Sequence, residues 1–304
     1  MVSRGRLVLA GRYRLDELIA ADETGVVWRA ADTALGRTVA VKLLHSEYAG
    51  DAEARARFRA EARQTAGLAH PGIVQVYDYG HAGPAAVAFL VTELVEGPSL
   101  ADVVGGGPLE AAWVLDLTGQ AAAGLAAAHR AGLLHRDVKP ASLLLAPGGI
   151  VKITGFAIAC APGAARATRT ATLPGTAGYL APERASGGPA TAASDLYSLG
   201  VLAWECLTGS HPFTGTPLEV AFHDAYHELP PLAASVPAGV AALVADLTAN
   251  DPSARPASAA TVAARAGQLR AAITVPSVRS AAGRRPPRSA DIRWWPQNLA
   301  TDQR

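Results

Sequence analysis

Two cysteines in 304 residues, Cys160 and Cys206, are too few for a disulfide framework or a cysteine-based zinc cluster. They read as small buried hydrophobes in a reducing compartment. A surplus of one charge is also missing. Twenty-seven Lys and Arg stand against 26 Asp and Glu, a formal net charge of +1, so no global field draws the chain to nucleic acid or to an anionic membrane. No uninterrupted apolar run approaches the roughly 18 residues of a membrane span. The N-terminal stretch MVSRGRLVLAGRY holds an apolar run too short for a signal peptide, and it meets charge at once. No internal repeat is visible. These absences predict a soluble, cytoplasmic protein with no nucleic-acid partner.

Half of the chain is hydrophobic, with 30 Gly and 21 Pro, and its length allows one large domain or two lobes plus a tail. Residues 12–48 alternate apolar and polar in short runs (YRLDELIA, GVVWRAAD, RTVAVKLL), the period of strands. Residues 51–68 change to a helical composition, with Asp51 as an N-cap and Gly67 near the end. Two further strands are predicted around 73–80 and 85–95. From 108 onward the pattern becomes helical, over 108–131, 194–208, 217–229, 237–249 and 256–271. The fold class is therefore α+β, a small lobe of five strands and one helix followed by a larger helical lobe, with the seam near residue 97. The predicted division is an N-terminal extension 1–11, a first lobe 12–96, a second lobe 97–270 and a tail 271–304. The tail is rich in Pro, Arg and Ser without periodicity, which predicts disorder. Its arginines (Arg279, Arg284, Arg285, Arg288, Arg293) fit a solvated linker better than a site for an acidic partner. Trp294 and Trp295 are a weak sign of docking.

Four separated pieces carry the chemistry: VAVK at 39–42, HRDVKP at 135–140, APE at 181–183 and SDLYSLG at 194–200. In this order and spacing the chain resembles the protein kinase superfamily, most closely the bacterial relatives of eukaryotic Ser/Thr kinases, over roughly residues 12–268. The resemblance implies a bilobal kinase fold and assigns roles. Lys42 would hold the α- and β-phosphates and pair with Glu61 on the small lobe's helix, helix C. Asp137 would be the catalytic base, with Lys139 approaching the transferred phosphate. Gly25 is the last glycine of the phosphate loop, Thr92 the gatekeeper, and Glu93 to Val95 the hinge; so small a gatekeeper implies an open adenine pocket. Phe156 and His135 would stack in the core that links the lobes. Glu183 and Arg255 would form a buried ion pair, and Asp195 would tie down the catalytic loop.

Three pieces depart from that pattern. The catalytic-loop asparagine is Ser142, the DFG triplet is Gly155-Phe156-Ala157, and the glycine-rich loop reads Ala20-Ala21-Asp22-Glu23-Thr24-Gly25. Mg²⁺ wants hard oxygen ligands in near-octahedral geometry. Gly155 offers none and Ser142 only a short neutral hydroxyl. Asp22 and Glu23 bring negative charge toward a triphosphate. No cofactor is therefore expected, with ATP and Mg²⁺ bound weakly if at all. The pattern is that of a pseudokinase, a regulatory or scaffolding binding module. The alternative is a Ser/Thr kinase with residual or unconventional ATP-dependent phosphotransfer through Lys42, Asp137 and Lys139. A non-kinase transferase on the same fold is disfavoured by the persistence of HRD, Lys42 and Glu61. In the segment that the resemblance makes the activation loop, Thr168, Thr170 and Thr172 alternate beside Arg166 and Arg169. Phosphorylated by an upstream Ser/Thr kinase, they would pair with Arg136 or recruit a phosphothreonine-reading, FHA-type module. Set against this is a flexible Ala/Thr loop without a signalling role. Thr176 would line the substrate platform.

Overall fold

The alternating stretches near the N-terminus do pair into an antiparallel sheet. In the computed structural model, which describes residues 7–22, 25–44, 59–60, 62–82, 87–156, 177–213 and 229–274, it contains β1 (Val8–Leu9), β2 (Tyr13–Asp22), β3 (Gly25–Asp32), β4 (Arg37–Leu44), β5 (Val76–Ala82) and β6 (Val87–Glu93). Their spatial order is β1-β2-β3-β4-β6-β5. The sheet thus has six strands where five were expected. The addition is β1, inside the segment 1–11: Val8 and Leu9 pair with Arg14 and Tyr13 across a turn in which Ala10 and Gly11 take positive φ. Two residues are too few for a period to show in the sequence.

Register shifts between Leu15 and Glu17 and between Leu18 and Ala20 interrupt β2. Such bulges turn a strand away from its sheet, and from Asp16 to Asp22 the strand is exposed. One face of the sheet packs Tyr13, Leu15, Val39, Val41, Phe89 and Val91. The other packs Leu44, Val76, Ala88 and Leu90 with Ala62 of the helical residues 59–60 and 62–66. Asp51 and Glu61 lie outside the described residues.

The second lobe is built on helices: α1 (Leu100–Val104), α2 (Ala111–Arg130), α3 (Pro182–Ala185), α4 (Ala192–Thr208), α5 (Ala238–Leu247) and α6 (Ala259–Thr274), with the hairpin β7 (Leu143–Ala146) and β8 (Ile150–Ile153). Helix α4 is the axis of this lobe. Every residue from Ser194 to Trp204 is buried, as expected of a helix surrounded by others. Thr191 and Ser194 form its capping box, and Gly209, in the left-handed conformation, ends it. A Cβ on Gly200 would stand 2.7 Å from Leu247 and Thr248, so this glycine lets α4 and α5 touch. The expected helix 217–229 lies outside the described residues except for Leu229, which is not helical; of the expected tail 271–304, residues 271–274 continue α6 and the rest lies outside the described residues. Among the described residues no helix is long and apolar enough to cross a membrane.

The lobes are stitched by backbone. Val74 N–H donates to Ile153 C=O and Ile153 N–H to Gly72 C=O, each at 2.9 Å. Just past the seam, within the second lobe, Leu145 N–H donates to Pro98 C=O at 2.9 Å, and between the lobes the Lys152 side chain meets Glu93 at 2.6 Å. The cleft between sheet and helices therefore has a fixed floor, β7–β8, beneath the segment 94–99.

Candidate functional site

The loop from His135 to Ser142 leaves α2 and enters β7, and its shape is set from below by α4. Asp195, in the first turn of α4, accepts from the backbone N–H groups of His135 (2.9 Å) and Arg136 (2.8 Å) and meets His129 Nε2 at 2.8 Å. That carboxylate is buried and fully used. It holds Arg136 at φ 68°, a conformation that a non-glycine residue keeps only when its surroundings enforce it. His135 Nδ1 accepts from Asp137 N–H at 3.2 Å, so Nε2 carries the proton and donates to Thr154 C=O at 2.9 Å. The imidazole also meets Phe156 edge-on, with ring centroids 4.6 Å apart. His135, Phe156 and Asp195 are thus brought together as one support.

On this support stand Asp137 and Lys139. Lys139 Nζ lies 2.9 Å from Asp137 Oδ2, while Asp137 Oδ1 is buried without a hydrogen-bond partner among the described residues. An unpaired carboxylate oxygen beside a cation suits an acceptor for a hydroxyl proton. Ser142 faces inward. Its hydroxyl donates to Lys139 C=O at 2.8 Å and accepts from Lys139 N–H at 3.0 Å, so it caps its own loop. Gly155 has φ 103° and no side chain. Among the described residues no cluster of three or more His, Cys, Asp or Glu could hold a metal. The donors at 142 and 155 do not fit a protein-held Mg²⁺, because one is absent and the other is already spent on the backbone.

Lys42 lies on β4 opposite Val27 and Leu90. Its Nζ is 2.5 Å from Asp22 Oδ2, and Asp22 Oδ1 accepts the Gly25 N–H at 3.0 Å. Burial pushes the Lys42 ammonium below the usual lysine range, Asp22 and Asp137 pull it back, and Lys139 lowers it further. Glu61, the expected partner, lies outside the described residues, as do Glu23, Thr24 and Ala157. Gly25 opens β3 opposite Leu44, and a Cβ there would collide with the Leu43 carbonyl. The sheet itself requires this glycine.

At the hinge, Thr92 donates to Glu93 C=O at 3.1 Å, while the Glu93 side chain is drawn to Lys152. Behind Thr92 the space bounded by Thr65, Leu90, Thr154 and Phe156 is about 10 Å³, at the lower limit for one water. Among the described residues, Phe156 and its neighbours thus leave little room behind the small Thr92. A larger cavity of about 290 Å³ lies below the loop, between α1, Lys139, Pro140, Tyr179 and Glu205, where the Tyr179 hydroxyl donates to the Glu205 carboxylate. Away from the cleft, Arg255 grips Glu183 with two bonds of 2.9 Å and donates to the carbonyls of Ala193, Ala249 and Asn250. Burial alone would raise the Glu183 carboxyl, but the bonds from Arg255 and Ser194 outweigh it and hold it below the usual range. Thr168, Thr170, Thr172 and Thr176, with Arg166 and Arg169, lie outside the described residues.

Some of these contacts were not anticipated. His129 on Asp195 and Tyr179 on Glu205 carry no motif, since each joins residues far apart in the chain. The acidic character of Asp22 was visible, but its direct seat on Lys42 depends on strand register.

The family model of the protein kinase domain matches residues 13–265. Serine/threonine-protein kinase PknA of Mycobacterium tuberculosis is 45% identical over 293 residues, which cover 95% of this chain and 65% of PknA. PknL of the same organism is 40% identical over 282 residues, covering 91% of this chain and 70% of PknL. The crystal structure of the Mycobacterium tuberculosis PknI kinase domain superposes with a TM-score of 0.71 at 25% identity, over 88% of this chain and 98% of that one.

Proposed function

The chain belongs to the protein kinase family, in which its relatives are Ser/Thr kinases, and we propose that it serves there as a pseudokinase, a regulatory or scaffolding module for protein partners. The observation that carries this reading is Gly155. Phosphoryl transfer depends on positioning and on electrostatic stabilisation, much of it supplied by metal ions on side-chain oxygens. Position 155 has no such oxygen, and the Ser142 hydroxyl is turned onto Lys139. Loss of one preorganised electrostatic group costs on the order of a hundred- to thousandfold in rate, and two are affected. Lys42, Asp137 and Lys139 are what is left for chemistry, and Lys42 already faces Asp22. The partners would be an upstream Ser/Thr kinase acting on Thr168, Thr170 or Thr172 and a phosphothreonine-reading module. We take the working division as lobes 12–96 and 97–270.

A second reading is favoured by the relatives. PknA and PknL are named as Ser/Thr kinases at 45% and 40% identity, and similarity of this kind supports retained phosphotransfer more than its loss. Support for the pseudokinase is confined to this chain's own residues at 22, 142 and 155. A phosphotransfer assay with Mg²⁺ and with Mn²⁺ separates the two. The wild type is expected at the background of Asp137→Asn, and the double variant Gly155→Asp/Ser142→Asn at least about a hundredfold above it. Robust wild-type turnover abolished by Asp137→Asn would replace the first reading with the second.

A further inference from the structure

Lys42 receives its counter-charge from inside the chain. The Asp22 carboxylate uses one oxygen on the Lys42 ammonium, at 2.5 Å, and the other on the Gly25 N–H, at 3.0 Å. It is held from two sides. Asp22 and Gly25 face each other as the last cross-strand pair of β2 and β3 before residues 23–24, and Gly25 is in turn paired to Leu44 of β4, two residues beyond Lys42. The carboxylate is half exposed while the lysine side chain is only 13% exposed. An anion approaching from solvent therefore meets Asp22 first, and then a cation that is already neutralised. To bind Lys42 it must displace a carboxylate anchored by a backbone hydrogen bond, or accept like-charge repulsion beside it. An uncharged ligand meets neither obstacle. The far end of the cleft is unaffected: among the described residues, neither the N–H nor the C=O of Val95 has a hydrogen-bond partner, which leaves a donor–acceptor edge suited to a flat heterocycle.

We propose that Asp22 sets the ligand charge of this cleft, so that it takes an uncharged purine nucleoside in preference to the corresponding nucleotide. The proposal rests on the reading of the cleft as a nucleotide-type pocket without a protein-held metal, and it adds the ligand class. Asp22 is thereby a specificity-determining residue that occupies the place of a phosphate.

The test is calorimetric titration of the full chain with adenosine and with ADP, in EDTA and without a phosphoacceptor. The wild type is expected to bind adenosine more tightly than ADP. Asp22→Asn, which keeps an acceptor for Gly25 N–H, is expected to tighten ADP by about tenfold or more, the effect of one charge beside a largely buried partner, and to leave adenosine unchanged. Asp22→Ser supplies a second variant that retains the acceptor, with circular dichroism to confirm folding. Adding Lys42→Met to Asp22→Asn is expected to abolish the gain for ADP. Tighter wild-type binding of ADP than of adenosine overturns the proposal. So does an ADP gain that survives Lys42→Met, or the absence of binding of both ligands to folded wild type and Asp22→Asn alike. Because the titration contains neither metal nor acceptor, it reads out separately from turnover: an active kinase could show this ligand order, and a pseudokinase could lack it.

Discussion

At φ 103° Gly155 holds a backbone conformation that L-residues rarely enter, yet among the described residues other than its chain neighbours the nearest atoms to a Cβ there are those of the His135 ring, at 3.8 Å. Among these residues the obstacle is torsional rather than steric. Gly155→Ala and Gly155→Asp are both expected to cost about 1–2 kcal/mol of stability, the penalty for an L-residue in left-handed space. Chemical denaturation would measure it, and a loss below about 0.3 kcal/mol would mean that the backbone is not held at this angle. The same cost bears on restoring a metal ligand at 155, so the restored variant has to be assayed well below its unfolding midpoint. Gly155 and Ser142 could be found from the sequence because each sits at a fixed offset from HRD. The consequence of Asp22 could not. Its contact with Lys42 arises from the two register shifts in β2 and from the close fit of Gly25 against β4, and neither leaves a mark in composition or period.

Among the elements, α4 joins the lobe's core to its chemistry. Its buried length supplies the packing, and its first turn supplies Asp195, an anion at the favourable end of a helix. Asp195→Ala would leave the backbone N–H groups of His135 and Arg136 without an acceptor and His129 without its partner. At about 1–3 kcal/mol for each buried group left unsatisfied, the expected loss is roughly 3 kcal/mol or more. It should be accompanied by faster amide exchange at residues 135 and 136, because the strained Arg136 would relax. An equal loss of stability with unchanged exchange there would mean that Asp195 supports the helix and not the loop. The existence of α4 was legible: the expected span 194–208 differs from Ala192–Thr208 only at the start, where the Thr191 capping box adds residues that the apolar pattern does not reach. Helices 108–131 and 256–271 were likewise displaced only at their ends. What no periodicity could report is the contact of Gly200 with α5, since a glycine in a helix reads as a weakness until a neighbouring helix is seen against it.

At the scale of the molecule, each lobe has, among the described residues, a carboxylate–arginine pair with one partner fully buried. In the first lobe Asp32, fully shielded from solvent, accepts two bonds of 2.7 Å from Arg12, and its carboxyl is held well below the usual range, chiefly by Arg12. In the second, Glu183 is held low by Arg255 and Ser194 against the opposing effect of burial. The sign of the pH effect follows. A carboxylate whose folded pKa lies below its unfolded value binds fewer protons when folded. Its stabilising contribution is complete above the unfolded value, about 4, and is lost as pH falls toward the folded value. Acid should therefore begin to weaken both lobes from a similar onset, near the unfolded carboxylate value, although the two losses run down to different folded values. Urea denaturation between pH 7 and pH 3 tests this. The wild type is expected to lose stability steeply below about pH 4, while Glu183→Gln and Asp32→Asn, each less stable at pH 7, should show a shallower decline because a titrating group has been removed. If both variants kept the wild-type slope, these pairs would not be the source of the acid sensitivity. If only one slope flattened, the lobe carrying that pair would set the acid limit of the whole chain, and the backbone bonds between Val74, Ile153 and Gly72 would be the route by which its loss reaches the other lobe.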